Sequence, residues 1–337
     1  CPEPGTDITL RKPGEKQTMA CHPGRSHGYR VRYCGRLPRS FGMADLEVTE
    51  RIRVGKVSFI NTLPIFHPLE SGAVQHDFDI IDGTPAVLNA LLASDQLDLG
   101  VVSSIEYARH FEKYLLLPDL SISCKNEVCS VLLLSRVPLQ ELEGQEILLT
   151  PKSHTSIALL KLLFARRFTV TPRYRVTDYH ACGSRWPAGA QAILAIGDDA
   201  LQLRRNPEVG MALDLGAAWY EWTGHPFVFA VWALRRETLA QRDGLVHQAH
   251  ATLLSARQYG LNHLKEIATA VDQCSWFSRQ ECVHYLQTIE YDLNDDKQKG
   301  LSLFFDMLYE TGELRQRVPL NFLPQSPARS DEQAEES

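Results

Sequence analysis

No part of this 337-residue chain approaches the ~18 consecutive apolar residues that a membrane-spanning helix needs. The longest tempting run, Val131-Leu-Leu-Leu134, is only strand-sized. Several nucleotide and hydrolase signatures are also missing. No G-x-G-x-x-G follows the first apolar segment, and there is no G-x-x-x-x-G-K-[ST], G-x-S-x-G or H-E-x-x-H. These absences count against dinucleotide binding, P-loop phosphate chemistry, acyl-serine hydrolysis and zinc proteolysis. Of eight cysteines, three (Cys1, Cys21, Cys34) lie in the first 42 residues. The other five include Cys124-x4-Cys129 and Cys274-x7-Cys282, which lack the close pairing and histidine partners of a zinc site. His247 and His250 share a helix face without a third ligand nearby and read as solvated. No metal and no cofactor is expected. An odd count of body cysteines, with no secretory apolar region at the head, points to reduced thiols and a cytoplasmic location.

Positive charge is outweighed by negative outside the head. Residues 1–42 carry eight Lys/Arg against three acids, which leaves −11 on the remainder of a chain whose total is −6. That acidic body argues against nucleic acid as a partner. The head itself has no apolar periodicity and many turn formers. Residues 1–50 are therefore expected to be disordered or a non-native N-terminal extension, with Met43 a plausible translation start.

From Arg51 onward, strand-like and helix-like segments alternate. Arg53–Ile60, Phe78–Ile81 and Leu97–Val102 read as strands, each followed by a helical segment, and Thr84-Pro85 supplies an N-cap and a first-turn proline. Further strands are predicted at Val128–Leu134, Glu146–Thr150, Ala192–Ile196, Met211–Leu215 and Phe227–Leu234. After Arg235 the pattern becomes helical only. This order predicts a two-lobed α/β fold, each lobe a mixed sheet flanked by helices, with a ligand cleft between them. The expected divisions are 51–136 for the first part of lobe 1 and 137–230 for lobe 2. A return strand and C-terminal helices on lobe 1 should follow over 231–315, then a disordered tail over 316–337.

Short polar clusters punctuate the strand ends: Ser58, Asn61 and Thr62; Ser103 and Ser104; Thr150, Ser153, Thr155 and Ser156; Gly197 and Asp198. Ser130 adds a hydroxyl near the start of another strand. A lone Ser or Thr there is an ordinary helix cap. Several such clusters facing one cleft instead suggest an anion site, where free backbone N–H groups and the positive helix end favour a carboxylate or phosphate. Asp198 reads most simply as a cap for the helix after Ile196.

The segments "VSFINTLPIF", "VVSSIEYARH", "YLLLPDLSIS", "CSVLLLSRVPL", "LTPKSHTSIALLK", "AILAIGDDAL" and "LDLGAAWYEWTGHPFVFAVWALR" occur in that order. Together they resemble the chorismate dehydratase family of the futalosine route to menaquinone, over about residues 51–315. The resemblance implies a type II periplasmic-binding-protein fold. It also implies a lyase that converts chorismate, a small-molecule partner, to 3-[(1-carboxyvinyl)oxy]benzoate with no membrane partner; oligomeric state stays open. A sister family, 1,4-dihydroxy-6-naphthoate synthase, shares the fold but typically has a Pro-Asn-Asp-Thr turn where this chain has Ile60-Asn61-Thr62. A non-catalytic carboxylate-binding protein is the other alternative. The resemblance points to Asn61 and Ser130 as the residues nearest the chemistry. The remaining clustered residues (Ser58, Thr62, Ser103, Ser104, Thr150, Ser153, Thr155, Ser156, Gly197, Asp198) are assigned to substrate binding. Lys152 and His154 depart from the family pattern, which expects smaller or variable residues there.

Overall fold

The computed structural model describes residues 51–178, 186–271 and 277–325. The readings made for residues 1–50 and 326–337 lie outside the described residues. The first lobe is built from β1 (Ile52–Val57), α1 (Leu63–Glu70), β2 (Phe78–Gly83), α2 (Pro85–Ala93), β3 (Leu99–Ser103), α3 (Ser104–His110) and β4 (Tyr114–Cys124). The second contains β5 (Val131–Ser135), β6 (Glu146–Leu149), α4 (His154–Leu163), β7 (Arg173–Val176), β8 (Ala192–Ile196), α5 (Gly197–Leu203), β9 (Met211–Asp214) and α6 (Leu215–Thr223). The chain then returns through β10 (Phe227–Arg235) and ends in α7 (Arg236–Asn262), α8 (Leu264–Val271), α9 (Arg279–Thr288) and α10 (Asp295–Glu310).

Each lobe carries a five-stranded mixed sheet, ordered β2-β1-β3-β10-β4 in the first and β7-β6-β8-β5-β9 in the second. Strands β1, β2 and β3 run parallel, as do β6, β7 and β8. In each sheet one strand from across the chain breaks the parallel run: β10 pairs antiparallel to β3 and β4, and β5 pairs antiparallel to β8 and β9. The middle strands are covered on both faces and accordingly read as continuous apolar runs, Leu-Gly-Val-Val in β3 and Ala-Ile-Leu-Ala-Ile in β8.

Three boundaries shift from the sequence reading. The lobe division expected after residue 136 falls before β5, because Val131–Ser135 is hydrogen-bonded into the second sheet. The return strand starts at Phe227, where the strand reading of Phe227–Leu234 puts it and ahead of the division at 231, and is already paired with Cys124 there. The tail expected from 316 is packed as far as Leu323: Phe322 bridges to Leu116, Leu323 is buried and the Tyr107 hydroxyl donates to the Pro319 carbonyl at 2.9 Å.

Strand β4 was not predicted, since Pro118-Asp119 interrupts its apolar pattern. Its register against β10 jumps from Ser121 to Leu116 across that pair, and Asp119 takes a left-handed φ of 56°. A proline without an N–H is tolerated where the ladder bulges away.

The β1/β3 edge is fastened by Asp98, whose side chain is fully buried. It accepts from the Arg53 backbone N–H at 2.8 Å, from Arg53 Nε and Nη2 at 3.0 and 2.8 Å, and from Thr238 at 3.2 Å, and it pairs with Arg242 of α7. Burial alone would raise the pKa of this carboxyl, but the hydrogen bonds from Arg53 and the charge of Arg242 hold it below its ordinary value.

Helices α1 and α7 cross at Gly260, where an added β-carbon would overlap the backbone carbonyl of Pro64. That close approach requires glycine. Gly260→Ala is expected to lower unfolding free energy by about 1–3 kcal/mol through overpacking. Urea unfolding should show a lower midpoint at unchanged slope.

Candidate active site

Polar strand ends from both sheets meet at one cavity of about 690 Å³, counted with its open mouth. The first lobe contributes Asn61 and Thr62, in the 3-10 turn after β1, and Ser103 at the end of β3; the second contributes Ser130 just before β5, Ser153 and Ser156 at the start of α4, and Gly197 at the start of α5. Between these donors the walls are apolar, with Phe59, Val101, Ile122, Val128 and Phe229 among them. Among the described residues lining the cavity, Lys152 is the one charged side chain.

Seven of the twelve sequence-predicted residues therefore reach the cavity, and the structure shows what occupies each hydroxyl or amide. Ser103 is the N-cap of α3 but makes no side-chain capping bond. Its neighbour Ser104 is fully buried and donates to the Val228 carbonyl at 2.6 Å, away from the cavity. Ser153 accepts from the Ser156 backbone N–H at 3.2 Å and lies 2.9 Å from the Ser156 hydroxyl, so these two form a linked pair at a helix start. The Thr62 hydroxyl donates inward to the Val57 and Phe59 carbonyls at 2.8 and 2.9 Å, which shapes the turn rather than the cavity wall. Asn61 Oδ1 is buried with no hydrogen-bond partner.

Five of the expected binding residues are not part of the lining. Besides Ser104, Ser58 is exposed and donates to Asp82 at 3.2 Å. Thr150 is buried and accepts from the Lys152 backbone N–H at 3.2 Å, holding the turn that carries Lys152 and Ser153. Thr155 accepts from the Ile105 backbone N–H at 3.0 Å, so a hydroxyl of α4 in one lobe caps α3 in the other. Asp198, at the start of α5, lies near the Ile60 backbone N–H of the other lobe, which acts to lower the pKa of its carboxyl.

The buried Asp198 Oδ1 has no hydrogen-bond partner. Burial pushes this carboxyl up to about 7; the Ile60 N–H and Lys152 oppose the shift and Asp199 adds to it. Lys152 Nζ itself lies 2.9 Å from Asp199 Oδ2, so its charge is shared with a carboxylate outside the lining. Gly197 enters α5 with φ of 56°, a left-handed conformation that suits glycine, and its N–H donates to the Ser130 carbonyl at 2.7 Å.

Sequence reasoning missed the apolar walls and two tyrosines behind them. The Tyr285 hydroxyl donates to Ser130 Oγ, and the Tyr291 hydroxyl donates to the Asn61 carbonyl, each at 2.9 Å. Both come from a region more than 150 residues downstream of Ser130, and no local pattern signals such contacts. The two histidines read as solvated stand apart from the cavity lining, His247 3.4 Å from Asp243 and His250 donating to the Pro118 carbonyl at 2.8 Å. No helix among the described residues is long and apolar enough to cross a membrane.

A family model described as menaquinone biosynthesis matches residues 52–310. The chain belongs to this menaquinone-biosynthesis family. It is 33% identical over 270 residues to the chorismate dehydratase of Thermus thermophilus, a match covering 76% of this chain and 94% of that protein. It is 26% identical over 266 residues to the 1,4-dihydroxy-6-naphthoate synthase of the same organism, covering 76% and 93%. Among solved structures, the periplasmic aliphatic sulphonate binding protein of Escherichia coli superposes with a TM-score of 0.58 at 14% identity, covering 86% of this chain and 98% of that one. The fold is thus that of the periplasmic binding proteins, as the sequence resemblance implied.

An aspartate whose folded-state pKa lies near 7, against 3.8 for the free side chain, favours folding while it is protonated. That contribution is complete below about pH 4 and is lost as pH rises through 7. Asp198→Asn, which mimics the neutral acid, is therefore expected to be more stable than the native protein at pH 8, by on the order of 2 kcal/mol. The gap should close towards pH 4. Melting temperatures taken across this range check the sign.

Proposed function

We propose that the chain dehydrates chorismate to 3-[(1-carboxyvinyl)oxy]benzoate, with Asn61 and Ser130 nearest the reacting atoms. The observation that carries the reading is the 33% identity to a chorismate dehydratase over 94% of that enzyme's length. The lower identity to the naphthoate synthase, with the Ile60-Asn61-Thr62 turn, makes the sister activity the weaker alternative. A cavity that mixes apolar walls with neutral donors also suits a ring bearing two carboxylates.

The reaction breaks the C3–H and C4–O bonds of the ring and releases one water, and aromatisation drives it. The C3 proton is vinylogous to the ring carboxylate. Its removal sends electron density through the diene onto that carboxylate before the C4 hydroxyl departs. Fixed neutral donors around the carboxylate stabilise this developing charge. On this reading Ser103, Ser153 and Ser156 hold carboxylate oxygens, and Lys152 contributes a positive charge at the edge of the same site.

An amide is too weak a base to take a carbon-bound proton, so Asn61 orients and polarises. The proton acceptor is then either the side-chain carboxylate of the substrate or Asp198. Asp198 stands outside the cavity lining, which favours the substrate carboxylate. We place the protein in the cytoplasm, a reading supported by Cys124 and Cys129 standing as free thiols.

The test is purified protein with chorismate, followed by the appearance of a benzoate-type absorbance. Asn61→Ala and Ser130→Ala are each expected to lower kcat by on the order of 10²–10³, with melting temperatures barely changed. Ser153→Ala should raise KM and lower kcat more mildly than either, since its carboxylate contact is made in the ground state and strengthens as charge develops. Full turnover in Asn61→Ala would reduce that residue to a strand cap, and absence of any turnover by the native protein would leave a binding function.

A further inference from the structure

Two tyrosines, six positions apart, stand behind the two residues assigned to the chemistry. Tyr285 lies on α9 and is 3% exposed; Tyr291 follows that helix and is 2% exposed. Neither lines the cavity. Tyr285 donates to Ser130 Oγ in the second lobe, and Tyr291 donates to the Asn61 carbonyl in the first, both at 2.9 Å. One short segment thus touches both sides of the cleft from the rear.

That segment is itself held firmly. Ser278 and Glu281 form a capping box at the start of α9. The Tyr285 ring packs edge-on against Phe277 at 6.2 Å. Beyond the helix, Glu290 exchanges backbone hydrogen bonds with Ser123 of β4 at 2.8 and 2.9 Å, and the Ser121 N–H donates to the Tyr291 carbonyl at 3.0 Å. Lys297 pairs with Glu290 and Asp292 at 2.8 and 2.6 Å. The two phenols are presented from a fixed frame.

We propose that Tyr285 and Tyr291 are positioning residues that set Ser130 and Asn61 opposite one another across the cavity. A serine hydroxyl has one hydrogen and two lone pairs, and rotates freely among staggered wells. With one lone pair filled by the phenol of Tyr285, the Ser130 hydrogen is turned away from the tyrosine and is available to an oxygen in the cavity. Burial holds both phenols protonated well above neutral pH, so they remain donors. Tyr291 acts on the backbone: a bond to the Asn61 carbonyl fixes the peptide from which the amide side chain projects. A merely structural tyrosine would satisfy its own hydroxyl here without affecting turnover.

This inference rests on the dehydratase reading and on Ser130 and Asn61 as its reacting pair. The experiment is a double-mutant square of native protein, Tyr285→Phe, Ser130→Ala and the double variant, each measured for kcat, KM with chorismate and melting temperature. Tyr285→Phe is expected to lower kcat about 10- to 100-fold, as misplacement of a reacting group does, with KM within about twofold. In the Ser130→Ala background the same change should cost no further kcat. An equal loss in both backgrounds, or native kcat in Tyr285→Phe while Ser130→Ala is impaired, overturns the positioning role alone. Native kcat in Ser130→Ala overturns the reading of Ser130 and with it the role of Tyr285. The square of Tyr291→Phe with Asn61→Ala reads the other half independently, with the same outcomes expected and the same ones overturning it.

Discussion

The carboxylate of Asp214 ties together the two passages of chain between the sheets. It accepts from the backbone N–H groups of Gly216 and Ala217 at 2.9 and 3.2 Å, capping α6 at the start of the second passage. It also accepts from Val128 and Cys129 at 3.1 and 2.7 Å, in the first passage and immediately before Ser130. Cys129 has a φ of 62°, a left-handed conformation that costs a non-glycine residue of order 1–3 kcal/mol unless its surroundings impose it. The Asp214 contacts supply that constraint. Gly216 completes the joint, because a β-carbon there would meet the Asn126 carbonyl at 2.8 Å and overlap the Cys124 sulfur. Where Ser130 stands relative to the first lobe depends on this junction.

The junction is reinforced across the cleft by two contacts between lobes. Thr155 receives the Ile105 N–H at 3.0 Å, and the Asp198 carboxyl lies near the N–H of Ile60. The first satisfies a backbone donor that would otherwise be orphaned at the beginning of a helical turn. The hydroxyl and carboxyl used in this way are withdrawn from ligand binding, but they hold Ser103, Asn61, Ser153 and Gly197 in a common frame. Ser130 and Asn61 are then braced from behind by Tyr285 and Tyr291. Donors held by several independent contacts need little reorganisation when charge appears, which is what electrostatic preorganisation requires.

Much of this was legible in the sequence, and the reason is local. The βα alternation and the Thr84-Pro85 start of α2 are short-range signals, and they located nearly every strand that carries the cleft. Polar residues at strand ends likewise marked the cavity as a region. Which of two neighbouring hydroxyls faces it was not legible. Ser103 and Ser104 differ by one position at a helix start, where successive side chains point in different directions, and only the carbonyl of Val228, 124 residues away, decides that Ser104 turns inward. The same holds for Thr155 beside Ser153 and Ser156. Strand β4 was hidden by Pro118-Asp119, and the packing of 318–323 by its polar flanks; both are settled by partners distant in the chain.

The cavity's charge balance bears on the chemistry proposed for it. A site bristling with cations would bind a dicarboxylate tightly but equally in ground and transition states, which adds nothing to kcat. Among the described lining residues the one charged side chain, Lys152, is already paired with Asp199, and the remaining polar groups are neutral hydroxyls, an amide and backbone. Neutral donors against apolar walls gain most where charge grows during the reaction, since low local polarity strengthens each interaction and leaves little water to compete. In the proposed elimination that growth occurs at the ring carboxylate as the C3 proton leaves. A rigid, nearly uncharged donor set is therefore better matched to the transition state than to either carboxylate of the resting substrate, and the bracing from β4, α9 and the crossing strands is what keeps it rigid.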